Sequence, residues 1–283
     1  MGVTRIKVMK EDLTRREFLQ SLITWGVALP FSFSSSVFAA VPFQGQGGRA
    51  PTTRGPEGDS GLERFFFTQL KYRGGDWDPH PRAFVPLIED VIKRTSVEAS
   101  LNRRITTVLQ KDFFSYPFLY MAGREEFDPF SEEEVEMLRR FLTYGGILFA
   151  DDASGYKGYG FDKSFRRELK KIFPDRQLER LPSDHTVFRS FYLVTRLGGR
   201  KIVNPFLEGI EVEDRTPVIY CQNDLGGAWE KDMLGKWLYE CEPGGEAQRF
   251  EAFKLGVNIV LYALTVNYKK DQIHLPFIKR KLG

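Results

Sequence analysis

Short apolar runs that read as strands alternate along this chain with amphipathic helical segments, and that alternation restricts the fold more than any other feature. Arg64 to Leu70 carries Phe65-Phe66-Phe67, a run suited to a strand buried on both faces. Pro81 to Thr95 follows, with Phe84, Leu87, Ile88, Val91 and Ile92 at helical spacing. Ile105 to Leu109 and Pro117 to Ala122 read as the second and third strands. Ser131 opens a helix, with Glu134 completing a capping box and Val135, Leu138, Phe141 and Leu142 as its apolar stripe. Gly145-Gly146 ends that helix. Ile147 to Ala150 is a fourth strand that runs directly into Asp151-Asp152. A helix over Lys163 to Phe173 comes next, then a short strand over Gln177 to Leu181. An apolar run over Pro217 to Cys221 and a long apolar helix over Arg249 to Val266 complete the pattern. Strands alternating with helices pack as a mainly parallel sheet covered on both faces, so a three-layer α/β domain is expected.

The N-terminal segment has a different character. Thr14 to Gln20 resembles the twin-arginine export motif, with Arg15, Arg16, Phe18 and Leu19 in the expected places. An apolar run follows from Leu22 to Leu29 and on to Phe38, and cleavage before Ala40 fits the end of such a signal. Pro30 and the serines at 32 and 34–36 make the run a poor membrane span, so membrane contact is expected only through an uncleaved signal. From Gln44 to Gly61 the chain is rich in Gly, Pro, Thr and Arg with few apolar residues, which reads as a linker. The expected organisation is a signal over 1–39, a linker over 40–61, one α/β domain over 62–268 and a basic tail over 269–283. The expected location is the periplasm, or the membrane if the signal is retained.

Charge excludes one class of partner. The chain carries a net +3, and with five basic and three acidic residues in the first 39 the remainder is left near +1. A nucleic-acid partner would need a concentrated basic face. The two cysteines, Cys221 and Cys241, suit either a disulfide in an oxidising compartment or two buried thiols. His80, His185 and His274 are scattered and form no zinc signature. There is no Walker loop, dinucleotide glycine fingerprint, nucleophile elbow or His-Glu-x-x-His, so no cofactor is expected.

Ligands of open α/β sheets bind beyond the carboxyl ends of the strands. Four clusters fall at such positions: Gly74-Gly75-Asp76-Trp77, Asp151-Asp152, Asp184-His185 with Phe188 and Ser190, and Asn223-Asp224-Leu225-Gly226-Gly227 with Trp229. Converged, they would form a polar pocket walled by Trp77 and Trp229. Asp152, His185 and Asp224 would do acid/base work there, while Gly75, Asp76, Trp77, Asp151 and Trp229 would hold the ligand. The carboxylates would equally suit a divalent cation, and Trp beside Asp suits a sugar ring. Each residue also has a plainer role: Asp76 and Asp224 as turn acids beside glycine, Asp152 as an N-cap or turn acid, His185 bonded to backbone.

The stretches Gln69-Leu70-Lys71-Tyr72, Gly74 to Trp77, Tyr116 to Tyr120, Phe141-Leu142 and Gly145-Gly146 carry a family resemblance. So do Phe149 to Asp152, Phe165 to Leu169 with Phe173-Pro174, and Leu181-Pro182 with His185, Phe188 and Ser190. It continues in Asn223 to Gly226 and Gly256 to Val260. Together they resemble a bacterial family catalogued as a domain of unknown function, DUF 4159, over Phe66 to Leu264. The resemblance implies a flavodoxin-like, class I glutamine-amidotransferase-like fold. Amidotransferases carry a cysteine nucleophile on a turn after a strand, whereas Asp151-Asp152 stands near that place and both cysteines lie elsewhere. A carboxylate does not replace a thiolate in that chemistry, so the resemblance argues against amidotransferase activity. Relatives are often encoded beside envelope proteins, which implies an assembly role. The expected function is an exported ligand-binding or assembly module with an envelope protein or carbohydrate-like partner. The alternative is a hydrolase acting on a sugar-like substrate through the Asp/His cluster.

Overall fold

The computed structural model describes the backbone of residues 64–282 and the side chains of residues 64–265. The export motif at Arg15, Arg16, Phe18 and Leu19, the cleavage point and the linker lie outside the described residues.

The described residues form a three-layer α/β domain around one sheet of seven strands, in the order β2-β1-β3-β4-β7-β6-β5. Strands β1 (Thr68–Leu70), β2 (Arg104–Thr106), β3 (Phe118–Gly123), β4 (Ile147–Asp152) and β7 (Arg215–Cys221) pair in parallel. Strand β6 (Glu208–Val212) runs antiparallel to β7, and β5 (Glu179–Arg180) antiparallel to β6. The helices are α1 (Phe84–Arg94), α2 (Glu132–Thr143), α3 (Phe161–Ile172), the short α4 (Leu225–Trp229) and α5 (Gly245–Leu282).

Strand alternation decides which core each side chain joins. Phe67, Phe118, Tyr120, Phe149, Ile219 and Cys221 point to the face covered by α1, α4 and α5. Leu70, Leu119, Met121, Leu148, Ala150, Val218 and Tyr220 point to the face covered by α2 and α3. The central strands are buried on both faces, which is why their sequences read as continuous apolar runs.

The α2 start is as its sequence predicts. The Ser131 hydroxyl accepts the Glu134 N–H at 3.2 Å, and the Glu134 carboxylate accepts the Ser131 N–H at 2.7 Å. Beyond its end, Gly146 is a steric requirement, since a Cβ there would lie 2.2 Å from the Phe141 ring.

Three expectations are corrected. Strand β6 was not foreseen, because its Glu208-Gly209-Ile210-Glu211-Val212 breaks the apolar pattern. It forms by hairpin pairing to β7 through Glu213-Asp214, where Glu213 takes φ 56°. Ile92, expected in the apolar stripe of α1, is 41% exposed because the stripe is narrower than the spacing implied. Helix α3 begins at Phe161 rather than Lys163, since Phe161 itself belongs to the core. The two cysteines are free and buried, the thiol alternative of the two the sequence left open.

Replacing the α2 cap, Ser131→Ala, is expected to lower unfolding free energy by about 1 kcal/mol. Phe149→Ala in the sheet centre should cost about 3–5 kcal/mol. Urea denaturation of the two variants against the parent chain measures both.

Candidate functional site

Asp151 and Asp152 are the last two residues of β4 rather than the start of a loop. Being consecutive in a strand, they point to opposite faces of the sheet. This splits the carboxylates at the carboxyl edge into two clusters.

The first cluster lies on the α1, α4 and α5 side. Asp151 is fully buried and accepts three hydrogen bonds: Leu225 N–H at 2.9 Å, Gly226 N–H at 2.7 Å and the Tyr120 hydroxyl at 2.9 Å. Burial and the nearby Asp224 charge push its carboxyl up to about 6, against the pull of those donors. Asp224, also fully buried, takes a left-handed conformation (φ 54°, ψ 66°) and caps α4 by accepting the Gly227 N–H at 2.9 Å. It also pairs with the Arg200 guanidinium and lies 2.7 Å from His80 Nε2, in an ion pair outside hydrogen-bond alignment. The other ring nitrogen, His80 Nδ1, is 2.8 Å from the Glu230 carboxylate. Burial disfavours a charged imidazole, but Asp224 and Glu230 outweigh it and raise His80 to about 9. Burial likewise disfavours a charged Asp224, yet His80 and Arg200 hold its carboxyl below the usual range. The result is a buried imidazolium clamped between two carboxylates.

The second cluster lies on the α2 and α3 side. Asp152 accepts the Ser154 N–H at 2.8 Å and lies 3.3 Å from the Tyr220 hydroxyl oxygen. Burial, its largest influence, pushes it up to about 7. The same Tyr220 hydroxyl bonds Asp162 at 2.8 Å, which also accepts Gln222 Nε2 at 3.0 Å, Arg166 Nε at 2.7 Å and Gly158 N–H at 2.7 Å. Asp152 and Asp162 thereby tie down both ends of the loop that joins β4 to α3.

Asp76 spans the gap between the first and third strands. Its carboxylate accepts the Arg124 N–H at 2.6 Å and the Glu125 N–H at 3.0 Å, both just beyond β3. That gap is the topological switch point, where doubly wound sheets usually take their ligands. Here it is crossed by main-chain bonding as well: Gly74 bridges Phe127, and Asp128 N–H donates to Arg73 O at 3.0 Å. Gly74 and Gly75 take φ 68° and 56°, so Gly75 serves the turn that makes this closure.

The expected single pocket does not form. Trp77 packs on the α2 and α3 side, and Trp229 is 1% exposed in the opposite core, so the two do not wall one cavity. The Trp229 indole N–H has no acceptor among the described residues. His185 is not with Asp152 and Asp224. It receives the Val187 N–H on Nδ1 at 3.1 Å and sits 3.0 Å from the Thr216 hydroxyl, near the start of β7. Thr216 and Cys221 are separated by roughly 17 Å of strand: Arg180 at the end of β5 is level with Tyr220, and by His185 the chain has returned to the level of Thr216. An open cleft of about 1070 Å³ lies along that distant edge, lined in part by Lys170, Arg176, Glu179, His185, Glu211 and Tyr262.

Sequence reading missed His80, Arg200 and Glu230. His80 shares the loop of Asp76 after β1, and that position was the signal available. Arg200 follows Gly198-Gly199, a pair with a steric purpose: a Cβ on Gly199 would lie 2.1 Å from Asn223 O. That approach lets Arg200 N–H reach Asp224 O at 2.9 Å. Among the described residues no group of three or more His, Cys, Asp or Glu is arranged to hold a metal ion. The carboxylates are instead occupied by N–H groups, hydroxyls and cations of the chain itself.

Breaking the clamp from one side leaves a buried charge unpaired. Asp224→Asn is therefore expected to destabilise the domain by about 3–5 kcal/mol, read by urea denaturation. The folded pKa of His80 lies above its unfolded value, so its contribution is complete below about 6.5 and is lost as pH rises through 9. The thermal midpoint should fall across that window, and His80→Gln should flatten the decline.

No curated protein matches the chain in sequence. Residues 66–264 match the family described as Domain of unknown function (DUF4159), and the chain belongs to that family.

Proposed function

We propose that this chain is an exported cell-envelope module that binds or assembles with a partner and carries no amidotransferase activity. The observation behind this reading is the saturation of the carboxyl edge. Asp151 takes three donors of its own chain, and Asp224 takes Gly227 N–H, His80 and the part-exposed Arg200, while both carboxylates are themselves out of contact with solvent. Carboxylates so occupied cannot receive a substrate proton or a metal without unmaking the fold. Cys221, the thiol nearest that edge, is fully buried, and burial pushes it well above the ordinary thiol range, the reverse of an activated nucleophile. The export component rests on Arg15, Arg16, Phe18 and Leu19 followed by the apolar run.

One observation favours the hydrolase alternative. Asp152 is held near 7, where a carboxyl exchanges protons at neutral pH, and it has fewer donors than Asp151 or Asp162. On that reading a sugar-like substrate would be met at the β4–α3 loop, with Asp152 as the acid/base group.

Two experiments decide. A reporter fused behind residues 1–61 should leave the cytoplasm, and changing Arg15 and Arg16 to Lys should retain it. Export that survives that change would remove the twin-arginine assignment. For the domain, incubation with oligosaccharides and with magnesium or calcium salts should give a thermal shift at most, with no released product. Product formed by the parent and lost in Asp152→Asn, with the fold intact, would replace the binding module with the hydrolase.

A further inference from the structure

After α4 the chain makes a tight finger from Lys231 to Trp237. Its two ends bridge each other, and Asp232 N–H donates to Lys236 O at 2.8 Å. The Asp232 carboxylate turns inward and accepts Leu234 N–H at 2.8 Å and Lys236 N–H at 2.9 Å. Gly235, at φ 78°, supplies the left-handed step at the tip. The finger is thus fixed by its own polar groups, and its one acidic side chain is used inside it. What it presents outward is Met233 and Leu234, 88% and 83% exposed. Single exposed apolar residues are ordinary, but two adjacent ones at the tip of a turn braced by a carboxylate bonded to its own amides are not.

The surroundings bear on what the tip meets. Lys231 and Lys236 flank it, and neither forms an ion pair among the described residues. At the base, Trp237 lies between the Lys231 ammonium and the Arg249 guanidinium, each 4.4 Å from the ring centroid, with Phe253 behind at 5.8 Å. The nearby acids on α5 are already paired, Glu246 with Arg249 and Glu251 with Lys254. An apolar tip, a tryptophan at its base and flanking lysines without an ion pair make up the residue set that enters the boundary of an anionic bilayer. Aliphatic side chains pass the headgroups, while indole and ammonium groups remain among them.

We infer that the Met233-Leu234 finger is a docking element for an anionic lipid surface. Among the described residues no helix is long and apolar enough to cross a membrane, so this is contact at the surface. It is independent of the role of the carboxylates and of the fate of the N-terminal segment.

The test places an environment-sensitive fluorophore on the tip of the full chain as Leu234→Cys, and in a control on Tyr144→Cys, a 65% exposed residue in the turn before β4. Cys221 and Cys241 are buried and should not label. Vesicles of phosphatidylglycerol with phosphatidylcholine should shift the emission of the tip probe to the blue and leave the control unchanged. Phosphatidylcholine alone should do so far less. Lys231→Glu and Lys236→Glu should each weaken the response at least about fivefold. A tip probe that stays in water overturns the inference, whether or not the chain sediments with the vesicles, because attachment through another segment does not immerse the finger. An unchanged response after both lysines are reversed overturns it too. Immersion of the tip only on adding another protein would assign the finger to a protein socket instead.

Discussion

Asp224 and Glu230 close on the two nitrogens of the His80 ring, and much of the carboxyl edge of the sheet depends on that contact. His80 belongs to the loop after β1, while Asp224 and Glu230 bracket α4 after β7, so the clamp joins segments about 150 residues apart in sequence. Through Asp224 it reaches Arg200, and through the α4 amides it reaches Asp151 at the end of β4. Burying three or four ionised groups is costly, and their mutual attraction returns little more than that cost. A mispaired edge would leave those charges stranded out of water, which disfavours other arrangements of the edge.

The same physics accounts for why the edge reads as an active site in sequence while its carboxylates are bonded within the chain in space. Acids after parallel strands are where doubly wound sheets bind ligands. In this chain the ligands of those acids are internal: amides of α4 for Asp151, the Gly227 amide and two cations for Asp224, amides beyond β3 for Asp76. Asp152 stands apart. It has fewer donors than Asp151 or Asp224 and a carboxyl pushed by burial up to about 7, which is why the hydrolase alternative attaches to it alone.

Legibility in the sequence followed locality. The central strands and α1, α2 and α3 could be read because continuous apolar runs and helical stripes report burial directly, and Ser131 with Glu134 marks a start through a bond three residues long. Strand β6 could not, because Glu208 and Glu211 obscure an alternation that only pairing with β7 makes stable. The site was half legible. The turn roles of Asp76 and Asp224 follow from neighbouring glycines, but nothing local says that Asp151 and Asp152 must part to opposite faces until β4 is known to run through them. His80 was passed over for want of a nearby partner, since both its partners come from the far end of the chain. His185 was grouped with the acids by its place after a strand, and the return of the chain over the sheet sends it the other way.

All of this turns on His80 being an imidazolium held between two buried carboxylates. The direct measurement is the nitrogen-15 chemical shifts of its ring followed from pH 5 to 10 in uniformly labelled protein. Both ring nitrogens should be protonated at pH 7.5, with the transition near 9. A ring already neutral at pH 7.5, titrating near the ordinary 6.5, would contradict it.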